Sequence, residues 1–356
     1  MLRALGDFEF REIDLDASDA GGHAVAVGSW WAARAHDEGV DVAGAVIPRL
    51  RRSFDRVVGL DQETGVAVGF RPDVLHELDA VIKPNAVYRD PSLYGRFLGA
   101  QTPDGAWTDS KAPTRPLAPA PDDLGKLHLG PPCFITETGP MRAVRRRLLS
   151  PLPRLAHALA DHALATAVRP LRAARPPRFT VHFRGSLTHI QRADALRRIA
   201  AAGLSFRGGI TPGLGTRAIA PERARALMDE LRAEGLVVDR IPHWRYRLGI
   251  RECKAVLSLV GHGELCYRMG EAWAARRVLV CQDLSHLRMR FPLEAGRNVV
   301  YCRPDLSDLV AILDDIEVNF ARYVSIAEQG HADWRAWSAQ SIDVLRAGFA
   351  PLYARG

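Results

Sequence analysis

The chain has 356 residues, 47% of them hydrophobic and 25% charged, which is enough for two globular domains with real cores at ~100–200 residues each. Its formal net charge of +7 favours anionic ligands, such as nucleotide sugars, phosphorylated acceptors or nucleic acid. No uninterrupted apolar run reaches the length of a membrane span, and the five cysteines show no CxxC spacing, so neither a membrane protein nor a disulfide or zinc framework is expected.

In chain order, residues 1–7 lead into acidic sequence without an apolar signal core, which gives a cytoplasmic expectation together with the unpaired cysteine set. Residues 25–27, 56–59, 66–68 and 80–82 are short apolar strand candidates, the last leading into Lys83. They predict an irregular N-terminal α/β domain. Residues 112–121 form a proline-rich loop and residues 169–177 a basic one, with an Ala- and Leu-rich helix expected over 155–168. Arginines cluster at Arg142, Arg145, Arg146 and Arg147, and again at Arg169, Arg172, Arg175 and Arg178.

Beyond that break the alternation is regular. Residues 179–183 predict a strand, 192–202 a helix stopped at Gly203, and 204–206 a short strand. The Gly-rich stretch 208–215 is broken by Pro212 and reads as a mobile loop. A helix over 221–234 has Pro221 in its first turn and Gly235 at its end. Strands follow at 256–260, 278–281 and near Val299, with a helix from Glu264 between the first two. Ser307 is the expected cap of a helix from Asp308, and 318–353 reads as helical throughout. Strands alternating with helices of this length indicate a parallel sheet covered on both faces.

The most informative stretch is an apolar strand ending in Gly261-His262-Gly263-Glu264 and opening a helix with Arg268 and Glu271. Turn amides and a helix dipole at the carboxyl end of a parallel strand attract anions. On a helical wheel Glu264, Arg268 and Glu271 share one flank, while Leu265, Met269, Ala272 and Trp273 share the other. One side packs and the other faces a ligand, which predicts a nucleotide-diphosphate site.

With these elements in place, the chain resembles glycosyltransferases of the GT-B type, in particular the CgeB-like, exostosin and protein O-glucosyltransferase families. The resemblance spans residues 179–334. It rests on the order of Phe183-Arg184-Gly185-Ser186, Glu252-Cys253-Lys254, Tyr267-Arg268-Met269-Gly270-Glu271, Arg277-Val278-Leu279-Val280, Asp305-Leu306-Ser307 and Ile326-Ala327-Glu328-Gln329-Gly330. It implies two Rossmann-like α/β domains facing across a cleft. An acceptor-side domain would cover residues 1–174 and a nucleotide-sugar domain residues 175–330, with a C-terminal helix over 331–356 crossing back. Carried over by position, Arg184, Gly185 and Ser186 face the donor diphosphate, Arg268 pairs with its oxygens, and Glu271 accepts from the ribose hydroxyls. The Gly261, His262, Gly263 and Glu264 turn lets backbone approach the ligand. The resemblance implies a UDP-sugar donor as co-substrate, a hydroxyl acceptor and no further cofactor.

Retaining members often carry two glutamates seven residues apart here, whereas Glu264 and Glu271 are six apart, which tilts the expectation toward inversion. No DxD constellation is present, so a metal-independent reaction is expected, with arginines stabilising the leaving diphosphate. Inversion requires a base for the acceptor hydroxyl. Asp61, following an apolar strand, is the first candidate for that catalytic role, ahead of Asp79 and His36, while its ordinary alternative is a loop-capping aspartate. Lys83 and Arg89 read as cleft-edge residues for an acceptor or phosphate, or equally as ordinary surface charge. Trp30 and Trp244 are packing residues or sugar platforms, and Trp334 and Trp337 are packing residues. His182 reads as a core histidine, and His189 as a site residue that spacing alone does not support. Two competing readings are an arginine-rich nucleic-acid-binding protein and an inactive GT-B-like scaffold. The absence of a reader motif, and arginines placed in proline-rich breaks, argue against nucleic acid as a partner.

Overall fold

The computed structural model describes residues 22–61, 68–83, 86–90, 119–130, 176–212, 221–261, 265–339 and 347–352. The N-terminal sheet contains β1 (Gly22–Gly28), β2 (Phe54–Leu60) and β3 (Ala80–Lys83), followed in sequence by β4 (Ala86–Tyr88) and β5 (Leu127–Leu129). Its order is β1-β2-β3-β5, parallel throughout. Helices α1 (Ser29–Asp37), α2 (Ile47–Arg51) and α3 (Pro72–Glu77) connect the strands. Val57, Val58, Ala80 and Val81 have no exposed surface, as expected of parallel strands covered on both faces. Three of the predicted strands are present, at 25–27, 56–59 and 80–82. The fourth lies largely outside the described residues, and Val68, its last member, is buried but not in a strand. The expected helix over 155–168 and the arginines from 142 to 175 also lie outside the described residues.

The second sheet runs β11-β9-β8-β6-β7, again all parallel. Its strands are β6 (Phe179–Ser186), β7 (Phe206–Thr211), β8 (Cys253–Ser258), β9 (Val278–Gln282) and β11 (Val300–Cys302). A parallel bridge from Ile210 to Val237 adds a sixth position beside β7. In sequence terms the order becomes 3-2-1-4-5-6, the doubly wound arrangement whose direction reverses between β6 and β8. The helices here are α4 (Gln191–Ala201), α5 (Pro221–Ala233), α6 (His243–Arg251), α7 (Tyr267–Ala274), α8 (Leu309–Val318) and α9 (Phe320–Ala339). Gly203 and Gly235 end α4 and α5 with φ of 69° and 72°, as the sequence implied.

The carboxyl ends of the two sheets are stitched together. β4 leaves the end of β3, β10 (Leu287–Met289) follows β9, and the two pair antiparallel. Arg89 Nε donates to Ser285 O at 2.9 Å, and Arg290 Nε donates to Leu129 O at 2.9 Å. Two Rossmann-like sheets with facing carboxyl ends are the arrangement expected from the GT-B resemblance. The chain then returns: Phe349 packs on Val58, Ala80 and Ile82 of the first sheet. That contact belongs to residues 347–352. The long helix α9 instead lies on the second sheet, where Trp337 stacks on Phe291 at 4.6 Å and meets Trp273 edge-on at 5.4 Å. Gly330 lets α9 pass so closely, since a Cβ there would stand 2.4 Å from Trp273 Cδ1. Trp273 is fully buried, and its indole N–H donates to Asn298 O at 2.8 Å. Trp337 is thus a packing residue, and Trp334 packs against the same core.

Four expectations need correction. The stretch around Gly208 is not a loop at its start, because residues 206–211 form β7. A Cβ on Gly208 would lie 1.9 Å from Phe183 O, so glycine marks a close backbone approach inside the sheet rather than a turn. Helix α7 begins at Tyr267, not Glu264, because Leu265 is drawn into the core and Cys266 is extended at φ −143°. Ser307 does not cap α8: Asp308 holds that position, and Ser307 N donates to Asp305 Oδ1 at 3.0 Å. The terminal helical run is interrupted at Asn319, between α8 and α9. Among the described residues, no helix is long and apolar enough to cross a membrane.

Candidate functional site

Six of the predicted residues, Arg184, Gly185, Ser186, Gly261, Arg268 and Glu271, converge where the second sheet reverses direction, at the carboxyl ends of β6 and β8. His262, Gly263 and Glu264 lie outside the described residues. Arg268, in the first turn of α7, donates through Nη2 to Arg184 O at 3.1 Å, and its Nη1 is 3.5 Å from Cys266 Sγ. Its guanidinium lies 4.9 Å from the centre of the buried Phe183 ring. Burial opposes the charge of Arg268, but Cys266, Tyr246 and Glu271 outweigh it and hold the group above its ordinary value. Arg184 donates through Nη1 to Asp239 O, and burial followed by the charge of Arg207 lowers its proton affinity.

Glu271 is already engaged: Tyr246 donates its hydroxyl to Oε2 at 2.6 Å. Burial is the largest influence raising the Tyr246 phenol, which therefore stays neutral and remains a donor. The carboxylate is thus fixed through Oε2. Tyr246 sits on α6, a helix the sequence pattern conceals because basic residues interrupt it. Gly249 lets that helix close on the sheet, since a Cβ there would lie 3.2 Å from Arg207 Nε.

Sequence reasoning also missed two residues in the middle of the site. Arg192 is almost wholly buried and donates to Val260 O at 2.9 Å, Ser186 O at 2.9 Å and Leu259 O at 3.1 Å. Thr188 carries a buried hydroxyl with no hydrogen-bond partner among the described residues. The signal for both was the pair of glycines. A Cβ on Gly261 would stand 2.3 Å from Arg192 Nη2 and 2.9 Å from Thr188 Oγ1, and one on Gly185 would stand 2.8 Å from Arg268 Nη2. Glycine is required here by packed guanidiniums, not by turn geometry. Two guanidiniums, those of Arg192 and Arg268, thus meet at Gly185, and neither forms an ion pair among the described residues. The Nε atoms of Arg184 and Arg268 are sealed from solvent without a hydrogen-bond partner among the described residues. Buried donors left unpaired cost roughly 1–3 kcal/mol each.

The strand ends are held rigidly. Gln282 Oε1 accepts from Val260 N at 3.0 Å, and its amide donates to Gln191 Oε1 at 2.7 Å and Pro304 O at 2.9 Å. His189, near this network, accepts from Gln191 N at 3.2 Å, and burial lowers its pKa to about 4. His182 is buried in β6 with Nδ1 unpartnered, edge-on to Tyr246 at 5.2 Å. Burial, then the charges of Arg268, Arg184 and Arg207, brings its pKa down to about 3. The unfolded chain takes up this proton near 6.5, the folded chain only near 3. Stability is therefore complete above pH 6.5 and falls as the pH drops toward 3, with a slope approaching about 1.4 kcal/mol per pH unit from this group. Melting temperatures measured from pH 7.5 to 4 are expected to fall steeply, and His182→Leu is expected to flatten that fall while changing little at pH 7.5.

Asp61 occupies the matching end of the first sheet, beyond β2. Lys83 Nζ lies 3.1 Å from its Oδ2, with both side chains fully buried. Oδ2 also accepts from Gly69 N at 3.0 Å, and Ser29 Oγ lies 3.4 Å from Oδ1. Lys83 is therefore not a cleft-edge residue. Asp79 accepts from Val57 N at 2.7 Å and pairs with Arg51 at 3.0 Å, and His36 Nε2 is 2.9 Å from Arg71 Nη1. The side chains of Trp30 and Trp244 lie outside what is described.

Several solved structures resemble this chain at a distance. Sucrose-phosphate synthase from Thermosynechococcus elongatus aligns with 92% of this chain and 74% of its own, at 14% identity and a TM-score of 0.47. Anabaena HepE in complex with UDP-glucose aligns with 88% of this chain and 82% of its own, at 12% identity and a TM-score of 0.44. A UDP-forming trehalose-phosphate synthase from Burkholderia xenovorans covers 91% and 73%, at 13% identity and a TM-score of 0.41. No family model matches the chain, and no curated protein sequence does. All three likenesses are too distant to assign any residue a role.

Proposed function

We propose that the chain transfers a glycosyl group from a nucleoside-diphosphate sugar, with UDP-sugars the favoured donors, to a hydroxyl acceptor. The observation that carries this reading is the set of sealed, unpartnered donors, Arg184 Nε, Arg268 Nε and Thr188 Oγ1, at the switch point of a doubly wound sheet. A diphosphate supplies the missing acceptors, and bidentate guanidinium geometry suits its oxygens better than a lysine would. Glu271 then receives the ribose hydroxyls, steadied by Tyr246. As the glycosidic bond to the donor breaks, charge builds on the departing diphosphate, where fixed arginines stabilise it without reorganisation. Because α7 starts at Tyr267, side chains carry more of this task than the helix dipole does.

We take the reaction to be metal-independent, since the guanidiniums can neutralise the leaving group, and inverting, on the spacing of Glu264 and Glu271. The acceptor approaches from the first sheet, whose carboxyl end faces the site through the β4–β10 ribbon. The general base belongs to that side. Asp61 stands at the right strand end, but Lys83 and Gly69 occupy the oxygen a base would use.

The test is thermal denaturation with UDP, GDP, ADP, UMP and uridine. A ligand at a hundred times its Kd stabilises by about 2.7 kcal/mol, enough for a clear rise in Tm. A rise with a nucleoside diphosphate and none with uridine supports the reading. No rise with any diphosphate overturns it.

A further inference from the structure

Arg192 differs from Arg184 and Arg268. It enters from α4 behind β6, and all three nitrogens of its guanidinium are spent on carbonyls at the ends of β6 and β8. No acidic side chain among the described residues neutralises it. Its Nη1 and Arg268 Nη2 both lie within 3.4 Å of where a Cβ on Gly185 would stand, and the two guanidiniums share the Phe183 ring, at 5.8 Å and 4.9 Å. Two cations are therefore held close together in a water-poor site. Burial, then repulsion from Arg268, brings the pKa of Arg192 down to about 9. A framework that needed only hydrogen bonds to three carbonyls would not require a like charge beside Arg268. Neither guanidinium has an ion-pair partner among the described residues, so an anion arriving beside them relieves the repulsion that Arg192 bears.

We propose that Arg192 is a positioning residue that makes the site selective for the ligand's charge: it braces Ser186 and the Gly261 turn from behind and lends a second positive charge to the diphosphate without touching it. This deepens the donor reading above and rests on it. The charge field acts on phosphate and not on the nucleoside, so its effect grows from uridine to UMP to UDP.

The experiment is calorimetric titration of wild type, Arg192→Gln and Arg192→Lys with UDP, UMP and uridine. In Arg192→Gln, UDP is expected to bind about 10- to 100-fold more weakly while uridine changes by less than about threefold. Arg192→Lys retains the charge and most of the UDP-to-uridine preference. Equal losses for UDP and uridine, or an unchanged preference in Arg192→Gln, overturn the proposal in favour of a purely structural brace. If Arg192→Gln does not fold, Arg192→Lys decides the matter by pH. Arg268 on α7, Cys266 just before it, and His189 ahead of α4 are the titratable or charged groups facing this position. The lysine variant must then lose its preference for UDP at a lower pH than wild type, and a preference that falls at the same pH in both overturns the proposal. Failure of wild type to bind any nucleoside diphosphate instead overturns the donor reading itself.

Discussion

Arg268→Ala is expected to abolish stabilisation by UDP, weakening its binding by about 100-fold or more, while the protein remains folded. The substitution removes a buried cation that donates to Arg184 O and lies over Phe183. Charge-assisted hydrogen bonds of this kind are worth about 1.5–3 kcal/mol each, and a bidentate contact doubles the count. The apo protein is expected to stay folded because the ends of β6 and β8 keep their hydrogen bonds to Arg192 when Arg268 is truncated. Arg268→Lys should fall in between, since an ammonium supplies charge without the fork. Circular dichroism and melting in the absence of ligand separate a binding defect from unfolding. Undiminished stabilisation of Arg268→Ala by UDP would remove Arg268 from the site.

Lys83→Met is expected to destabilise the protein by about 3–5 kcal/mol, the usual cost of leaving the other member of a buried ion pair uncompensated. Asp61 and Lys83 have no exposed side-chain surface, so Asp61 would lose its buried cation while keeping its contacts with Gly69 and Ser29. Combining Lys83→Met with Asp61→Asn should recover most of that stability, because the amide preserves those contacts without a charge. The double variant also separates two roles for Asp61. A framework residue predicts near-normal turnover once stability is restored, and that is the expected result given the sealed carboxylate. A folded double variant with turnover reduced by about a hundredfold or more would return the catalytic base to Asp61.

The regular half of the chain was legible because its punctuation is local. Gly203, Gly235 and Pro221 stop and start helices by their own backbone preferences, and the apolar runs of β6, β8 and β9 match their buried strands. The convergence of Arg184, Gly185, Ser186, Gly261, Arg268 and Glu271 was legible for a related reason: in a doubly wound sheet, segments after successive strands meet at one edge. What was not legible depends on partners distant in sequence. The approach of Gly208 to Phe183 turned an apparent loop into a strand. The β4–β10 ribbon joins segments with no local signal for each other. Asp61 read as an open loop carboxylate because nothing nearby in sequence announces Lys83. Arg192 read as an ordinary helix-start residue, although Gly185 and Gly261 each lack the side chain that would collide with a guanidinium. Asking what a glycine makes room for would have found it.

The central claim is that a diphosphate completes the hydrogen bonding of the second sheet's edge. The most direct measurement is a crystal structure with UDP bound. Phosphate oxygens are predicted within about 3 Å of Arg268 and Thr188 Oγ1, with Arg184 Nε also engaged and the ribose on Glu271. UDP bound elsewhere, or bound here with its phosphates in solvent and those donors still unpaired, would contradict the account.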